Sequence, residues 1–184
     1  MDDNKIFGLH SSFYYFGLQH LYINMYQYIK LGLKRNEFIC LFTNYDLYDF
    51  IRHSPKIDEN KILYVQDVSR ILNMYKSLEL KDIKNELLKY EKTVTDKGYS
   101  GIRFIIDSKH LIDNTSKEEF LKIDSDVTKI ISKTRSSVMC IYDFEDYIVD
   151  KKTIDDEIMD ESYKNHLHRL YNSKLIDSRK LIKI

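Results

Sequence analysis

The chain has 184 residues, and its 29 Lys and Arg balance its 29 Asp and Glu, so the formal net charge is zero. That balance argues against non-specific nucleic-acid binding, which needs clustered cations against phosphate. The length suits one domain with a sizeable core, and residues 1–184 are expected to form a single domain.

The start, Met1-Asp2-Asp3-Asn4-Lys5, is polar and lacks the apolar stretch of a secretory leader. No run approaches the ~18 apolar residues of a membrane span. A cytoplasmic location with no membrane partner is therefore expected. Cys40 and Cys140 each sit inside an apolar run, which predicts buried core thiols and no disulfide.

Ser11–Phe16 has the composition of a strand and ends at Gly17. Leu18, Leu21, Tyr22, Met25, Ile29 and Leu33 then follow helical spacing and predict one buried face. Phe38–Thr43 is a short apolar run, as in a strand covered on both faces. A short helix is expected over Asp46–His53, broken by Ser54-Pro55, and a third strand over Lys61–Val65. Helix is predicted from Ser69 to Thr95, divided near Ser77–Lys81 and stopped by Lys97-Gly98. Ile102–Ile106 predicts the fourth strand. Ser116 with Glu119 forms a capping box for a helix that turns Phe120, Ile123, Val127, Ile130 and Ile131 inward. Ser137–Tyr142 predicts the fifth strand, ending in Asp143. A last helix is expected from Thr153 through Ile154, Ile158, Leu167, Leu170 and Tyr171, and the tail Lys174–Ile184 adds a strand.

Alternating strands and helices imply an α/β fold with a mostly parallel central sheet and helices on both faces. In such sheets ligands bind beyond the carboxyl ends of the strands. That edge comprises Phe16-Gly17, Thr43-Asn44, Gln66-Asp67, Asp107-Ser108 and Asp143. A nucleotide hydrolase of this plan needs a glycine-rich loop with lysine and hydroxyl after the first strand. Here the turn is Phe16-Gly17-Leu18-Gln19-His20-Leu21, with no lysine and no hydroxyl. ATP hydrolysis therefore lacks its main electrostatic parts. Asp107 could still hold a hydrated metal ion at a strand end, or could cap the next turn.

Arg103 lies inside an apolar strand and needs a buried partner, for which Asp107, Asp143 or a bound anion are candidates. His166 and His168 fall two apart on the expected last helix, so they point to different faces and do not chelate one metal together. Both would sit near the helix C-terminus, where a histidine interacts well with the dipole. The acidic stretch Asp143–Asp160 lacks the pattern of a calcium loop and is expected to be a solvated face. No nucleophilic triad or metal-ligand spacing is evident, so neither a metal nor a cofactor is assigned.

The segment Gly17–Asp46 resembles the phosphate-loop helix region of KaiC-like proteins, with Gly32 and Asn36-Glu37 at matching places. Gly98–Ser108 resembles the approach to their Walker B strand. The chain is most similar to the MEDS family, sensory domains related to KaiC that lack the phosphate loop. His10 and Phe13-Tyr14-Tyr15-Phe16, Gly101-Ile102-Arg103, Cys140-Ile141-Tyr142-Asp143, and His166 or His168 carry that resemblance. Where the family often has Tyr-Glu, this chain has Ile123-Asp124.

The resemblance implies a degenerate RecA/KaiC-like fold and a non-catalytic sensory or regulatory role. The partners implied are an unidentified small molecule and a separate signalling protein, with a homodimer as a further expectation. An atypical nucleotide-binding protein with little or no hydrolysis is the alternative. The candidate ligand-binding residues are His10, Tyr14, Tyr15, Gly17, His20, Asp67, Arg103, Asp107, Tyr142 and Asp143.

Overall fold

The computed structural model describes residues 6–180. Strand β1 (His10–Tyr15) leads through Gly17 into helix α1 (Leu18–Lys34), and β2 (Phe38–Phe42) into α2 (Tyr45–Arg52). Strand β3 (Ile62–Tyr64) precedes α3 (Ser69–Ser77) and α4 (Leu80–Asp96), so the long helical region divides where its sequence predicts. Strand β4 (Ile102–Asp107) is followed by α5 (Ser108–Asp113) and α6 (Lys117–Ile131). Strand β5 (Ser136–Asp143) leads into α7 (Phe144–Val149), α8 (Asp156–Asn165), β6 (His168–Tyr171) and β7 (Lys174–Asp177).

The strands form one sheet in the order β3-β2-β4-β5-β1-β6-β7. Every pairing is parallel except the final β6–β7 hairpin. The expected strand in the tail is therefore present as β7, while residues 181–184 of that tail and the N-terminal residues 1–5 lie outside the described residues. The sheet is buried on both faces. Phe13, Tyr15, Ile39, Leu41, Ile105, Met139 and Ile141 pack under α1 and α2. Val138, Cys140 and Tyr142 face the other way, against Phe120, Val127 and Ile131 of α6 and Ile158 and Met159 of α8. Alternation of side chains along β1 and β5 separates these two cores. Both cysteines are free and buried, as their apolar settings predict. No helix among the described residues is long and apolar enough to cross a membrane.

Four local expectations are corrected: the burial of Leu18 and of Ile123, and the start and the end of the last helix. Leu18 is 60% exposed, because the buried stripe of α1 starts one turn later and runs through Leu21, Met25, Tyr28, Ile29 and Gly32. On α6, Ile123 is only half-buried and Asp124 takes the inward position. The acidic stretch after β5 keeps Glu145, Asp150, Asp156, Glu157 and Asp160 exposed, as a solvated face does, while its other carboxylates structure it. Asp143 accepts from the backbone N–H of Glu145 and Asp146 at the start of α7, and Asp155 accepts from Ile158 N at the start of α8. Asp146 Oδ2 accepts from Thr153 N and Ile154 N, which holds Thr153 in a loop instead of at a helix start. Helix α8 ends before His166, whose backbone is extended, so Leu170 and Tyr171 lie on a strand.

Candidate functional site

Four donor-bearing side chains converge between the sheet and helices α6 and α8: His10, Asp124, Cys140 and His166. All are buried, and one ligating atom from each lies within 4.8 Å of the others. His10 opens β1, Cys140 lies on β5 on the same sheet face, Asp124 comes from α6, and His166 follows α8. The register that sets Ser12 opposite Cys140 and Tyr14 opposite Tyr142 lines these strand residues up beneath the helices.

The centre is closely wired. His10 Nε2 lies 2.9 Å from His166 Nε2, 3.3 Å from Cys140 Sγ and 3.5 Å from Asp124 Oδ1. His166 Nε2 lies 3.4 Å from Asp124 Oδ1. Cys140 Sγ donates to Asp124 Oδ1 at 3.6 Å and Tyr142 Oη donates to the same atom at 3.4 Å. Asn165 Nδ2 donates to Asp124 Oδ2 at 2.9 Å, which fixes the carboxylate so that Oδ1 faces inward. Around the rim, His10 Nδ1 is 3.0 Å from Thr128 Oγ1, and His166 Nδ1 is 2.6 Å from the Ser162 carbonyl. A carbonyl only accepts, so His166 Nδ1 carries hydrogen, and in the neutral ring Nε2 presents a lone pair to the centre.

Burial sets the protonation chemistry. Desolvation, reinforced by repulsion from His166, lowers His10 to about 4 despite the attraction of Asp124, so its ring is neutral at physiological pH. Burial pushes the Cys140 thiol and the Tyr142 phenol well above their ordinary ranges, and the Asp124 charge adds to both. Burial also works against ionisation of Asp124, but attraction to His166 and hydrogen bonds from His10 and His166 hold its carboxyl well below the usual carboxylate range. The result is a buried carboxylate beside the neutral His10 ring and the protonated Cys140 and Tyr142 side chains.

Of the candidate ligand-binding residues named from the sequence, His10 and Tyr142 belong to this centre. Tyr14 adjoins it, bonding Ser162 Oγ at 2.8 Å and stacking between Tyr142 and Tyr163. Others stand at the carboxyl edge of the sheet. Gly17 has a φ of 72° there, and a β-carbon built on it would meet nothing within 4 Å. His20 accepts from Phe16 N at 3.2 Å, and Asp67 is exposed and accepts from Ser69 N at 2.8 Å. Asp107 caps α5 through Lys109 N and His110 N, as the capping alternative predicts, and Asp143 caps α7. Tyr15 is buried beside Asp107 and Asp143; burial first, and then those charges, push its phenol up.

Arg103 corrects an expectation. Asp107 shares its sheet face but lies four residues along the strand, about 13 Å away. The guanidinium turns instead to Glu37, with Nε donating to Oε2 at 2.6 Å and Nη1 donating to the Tyr28 carbonyl at 2.6 Å. It also stacks over the Tyr28 ring on the α1 side of the sheet, remote from the histidines. His166 is the C-cap of α8, near the helix C-terminus as expected, and its ring enters the buried centre, while His168 lies beyond the helix and opens β6.

A family model described as the MEthanogen/methylotroph, DcmR Sensory domain, or MEDS, matches residues 9–167. The chain belongs to the MEDS family. No curated protein matches the chain. His10 and His166 lie just inside the two ends of the MEDS segment, so the centre joins its first strand to its last residues. Cys140 and Tyr142 of the Cys-Ile-Tyr-Asp run supply its sulfur and phenol. Asp124 is the hub of the centre. Asp124 escaped the sequence reading, although its place between Phe120 and Val127 on an apolar helix face was the available signal. Thr128, Ser162 and Asn165 carried no such signal, because only the fold brings them to the centre.

Proposed function

We propose that this MEDS domain is a non-catalytic sensory module that recognises a small molecule and passes the result to a protein partner in a bacterial or archaeal signalling pathway. The observation that carries the reading is a division of labour between two regions. The carboxyl edge, where a nucleotide hydrolase would gather phosphate-binding groups, spends Asp107 and Asp143 on capping helices and has a turn at Gly17 with no lysine and no hydroxyl. The concentrated polar chemistry lies in the buried His10–Asp124–Cys140–His166 centre, beneath helices α6 and α8.

The bare turn after β1 and the acid ending β4 stand at one sheet edge with β5 between them, which supports descent from a RecA/KaiC-like plan whose phosphate loop has been lost. A cytoplasmic location and homodimerisation belong to the same reading. Signalling follows if the small molecule stabilises one arrangement of α6, α8 and the β6–β7 hairpin over another. Calorimetric titration of the full chain tests this with two ligand sets. Halogenated and oxygenated one-carbon compounds, chosen from the family's description, should give saturable heat, and ATP with Mg²⁺ should give none. Stoichiometric nucleotide heat with none from the one-carbon panel would replace the sensor reading by an atypical nucleotide-binding one.

A further inference from the structure

The geometry points to a closed, four-coordinate divalent transition-metal site of zinc type formed by His10 Nε2, Asp124 Oδ1, Cys140 Sγ and His166 Nε2. Two imidazoles, a thiol and a carboxylate are a donor set that zinc and its neighbours favour. Zinc bonds of about 2.0 Å to nitrogen and oxygen and about 2.3 Å to sulfur, in a tetrahedron, place the ligand atoms about 3.3–3.8 Å apart. The His10–Cys140, His10–Asp124, His166–Asp124 and Cys140–Asp124 separations are 3.3, 3.5, 3.4 and 3.6 Å. A fifth, the 2.9 Å between the two Nε2 atoms, is tighter, and the sixth, between His166 and Cys140, is within 4.8 Å. A cation between those nitrogens would open it by roughly 0.4 Å.

The outer contacts are those of a metal site. Metal-bound histidines characteristically tie down their second nitrogen, and bound carboxylates are themselves hydrogen-bonded. Here His166 Nδ1 is fixed by the Ser162 carbonyl, His10 Nδ1 meets Thr128 Oγ1, and Asp124 Oδ2 is held by Asn165. The buried Asp124 carboxylate calls for positive charge at the centre. The rival is a metal-free chain in which His10 Nε2–H donates to His166 Nε2. With four protein ligands and no exposed face, the site would hold the fold together or report metal, and would not activate water.

The inference stands or falls apart from the sensory reading, because cobalt binding and one-carbon ligand binding are measured separately. The test uses the full chain, stripped with a chelator and titrated with Co²⁺. One equivalent should bind, with the intense visible bands of four-coordinate cobalt and a near-ultraviolet thiolate-to-cobalt band, and Zn²⁺ should displace it. Cys140→Ser should lose the thiolate band. Thr128→Val, whose oxygen touches only the rim of the site, should weaken affinity about 10–100-fold. Wild-type protein that is folded by circular dichroism yet binds no cobalt establishes the hydrogen-bonded chain and overturns the site. Binding that leaves the thiolate band absent in the wild type overturns it equally, so the outcome does not hang on any variant folding.

Discussion

His10 and His166, 156 residues apart in the chain, bring their Nε2 atoms to 2.9 Å of each other in the protein interior. This contact ties the first strand of the sheet to the segment entering its edge hairpin. His166 also anchors Asp124 and the end of α8. His166→Leu should therefore cost about 3–5 kcal/mol, because it leaves a buried carboxylate and a buried imidazole short of partners. His168→Ala, two residues on and only half-buried on β6, should cost less than about 1 kcal/mol. Urea unfolding in chelator-containing buffer measures both, and equal losses would show that His166 is an ordinary core residue.

The Arg103–Glu37 pair is wholly buried, and its geometry separates the cost of an orphaned charge from the worth of the pair. Arg103→Met or Glu37→Leu alone should each cost about 3–5 kcal/mol, since each strands the remaining charge in the core. The double variant should be less destabilised than the sum by more than about 2 kcal/mol. A double-mutant cycle by chemical denaturation gives that coupling directly, and additive losses would mean that the two charges are stabilised independently.

Gly32 shows which of two opposed effects wins. Alanine raises helix propensity by about 1 kcal/mol over glycine inside a helix. At Gly32, however, a methyl group would stand 2.9 Å from both Arg103 Nε and Ile39 Cδ1. Neither neighbour can yield easily, because the guanidinium is held by Glu37 and Tyr28 and Ile39 is in the core. Gly32→Ala should thus destabilise by about 1–3 kcal/mol. Thermal melts against wild type decide the sign, and a rise in Tm would show that the Arg103 pocket is loose.

The sheet was legible because strands covered on both faces appear as short apolar runs, as Phe38–Phe42 and Ser136–Asp143 do. Ser116 was legible because its capping hydroxyl has a local signature, and it does accept from Glu119 N. The last third of the chain was harder. Leu167 and Leu170 continue a helical spacing from Ile158, while the true helix stops at Asn165 and a four-residue strand follows. A strand that short has no period to separate it from a helix turn. That error carried His166 away from the centre, and with it the donor set. Position along the chain gave no hint that residues 10, 124, 140 and 166 meet, because the parallel order placing β1 beside β5 is a long-range property.

Asp107 should lower stability at neutral pH, and the sign follows from its surroundings. Burial pushes its carboxyl from 3.8 up to about 6, although His110 N and Lys109 N donate to it. Between those values the folded chain holds a proton that the unfolded chain has lost, so stability falls as pH rises from about 4 to about 6 and stays lowered above that. The shift corresponds to about 3 kcal/mol at pH 7 as an upper bound. Asparagine keeps an oxygen for the helix cap and removes the charge. It gives up part of the contact from Asn44 Nδ2, which lies 3.4 Å from Asp107 Oδ2. Asp107→Asn should consequently stabilise the domain by about 1–3 kcal/mol at pH 7.5, and the advantage should shrink towards zero near pH 4. Urea midpoints at the two pH values give the comparison. An offset that does not change with pH would show that the Asp107 carboxyl titrates normally.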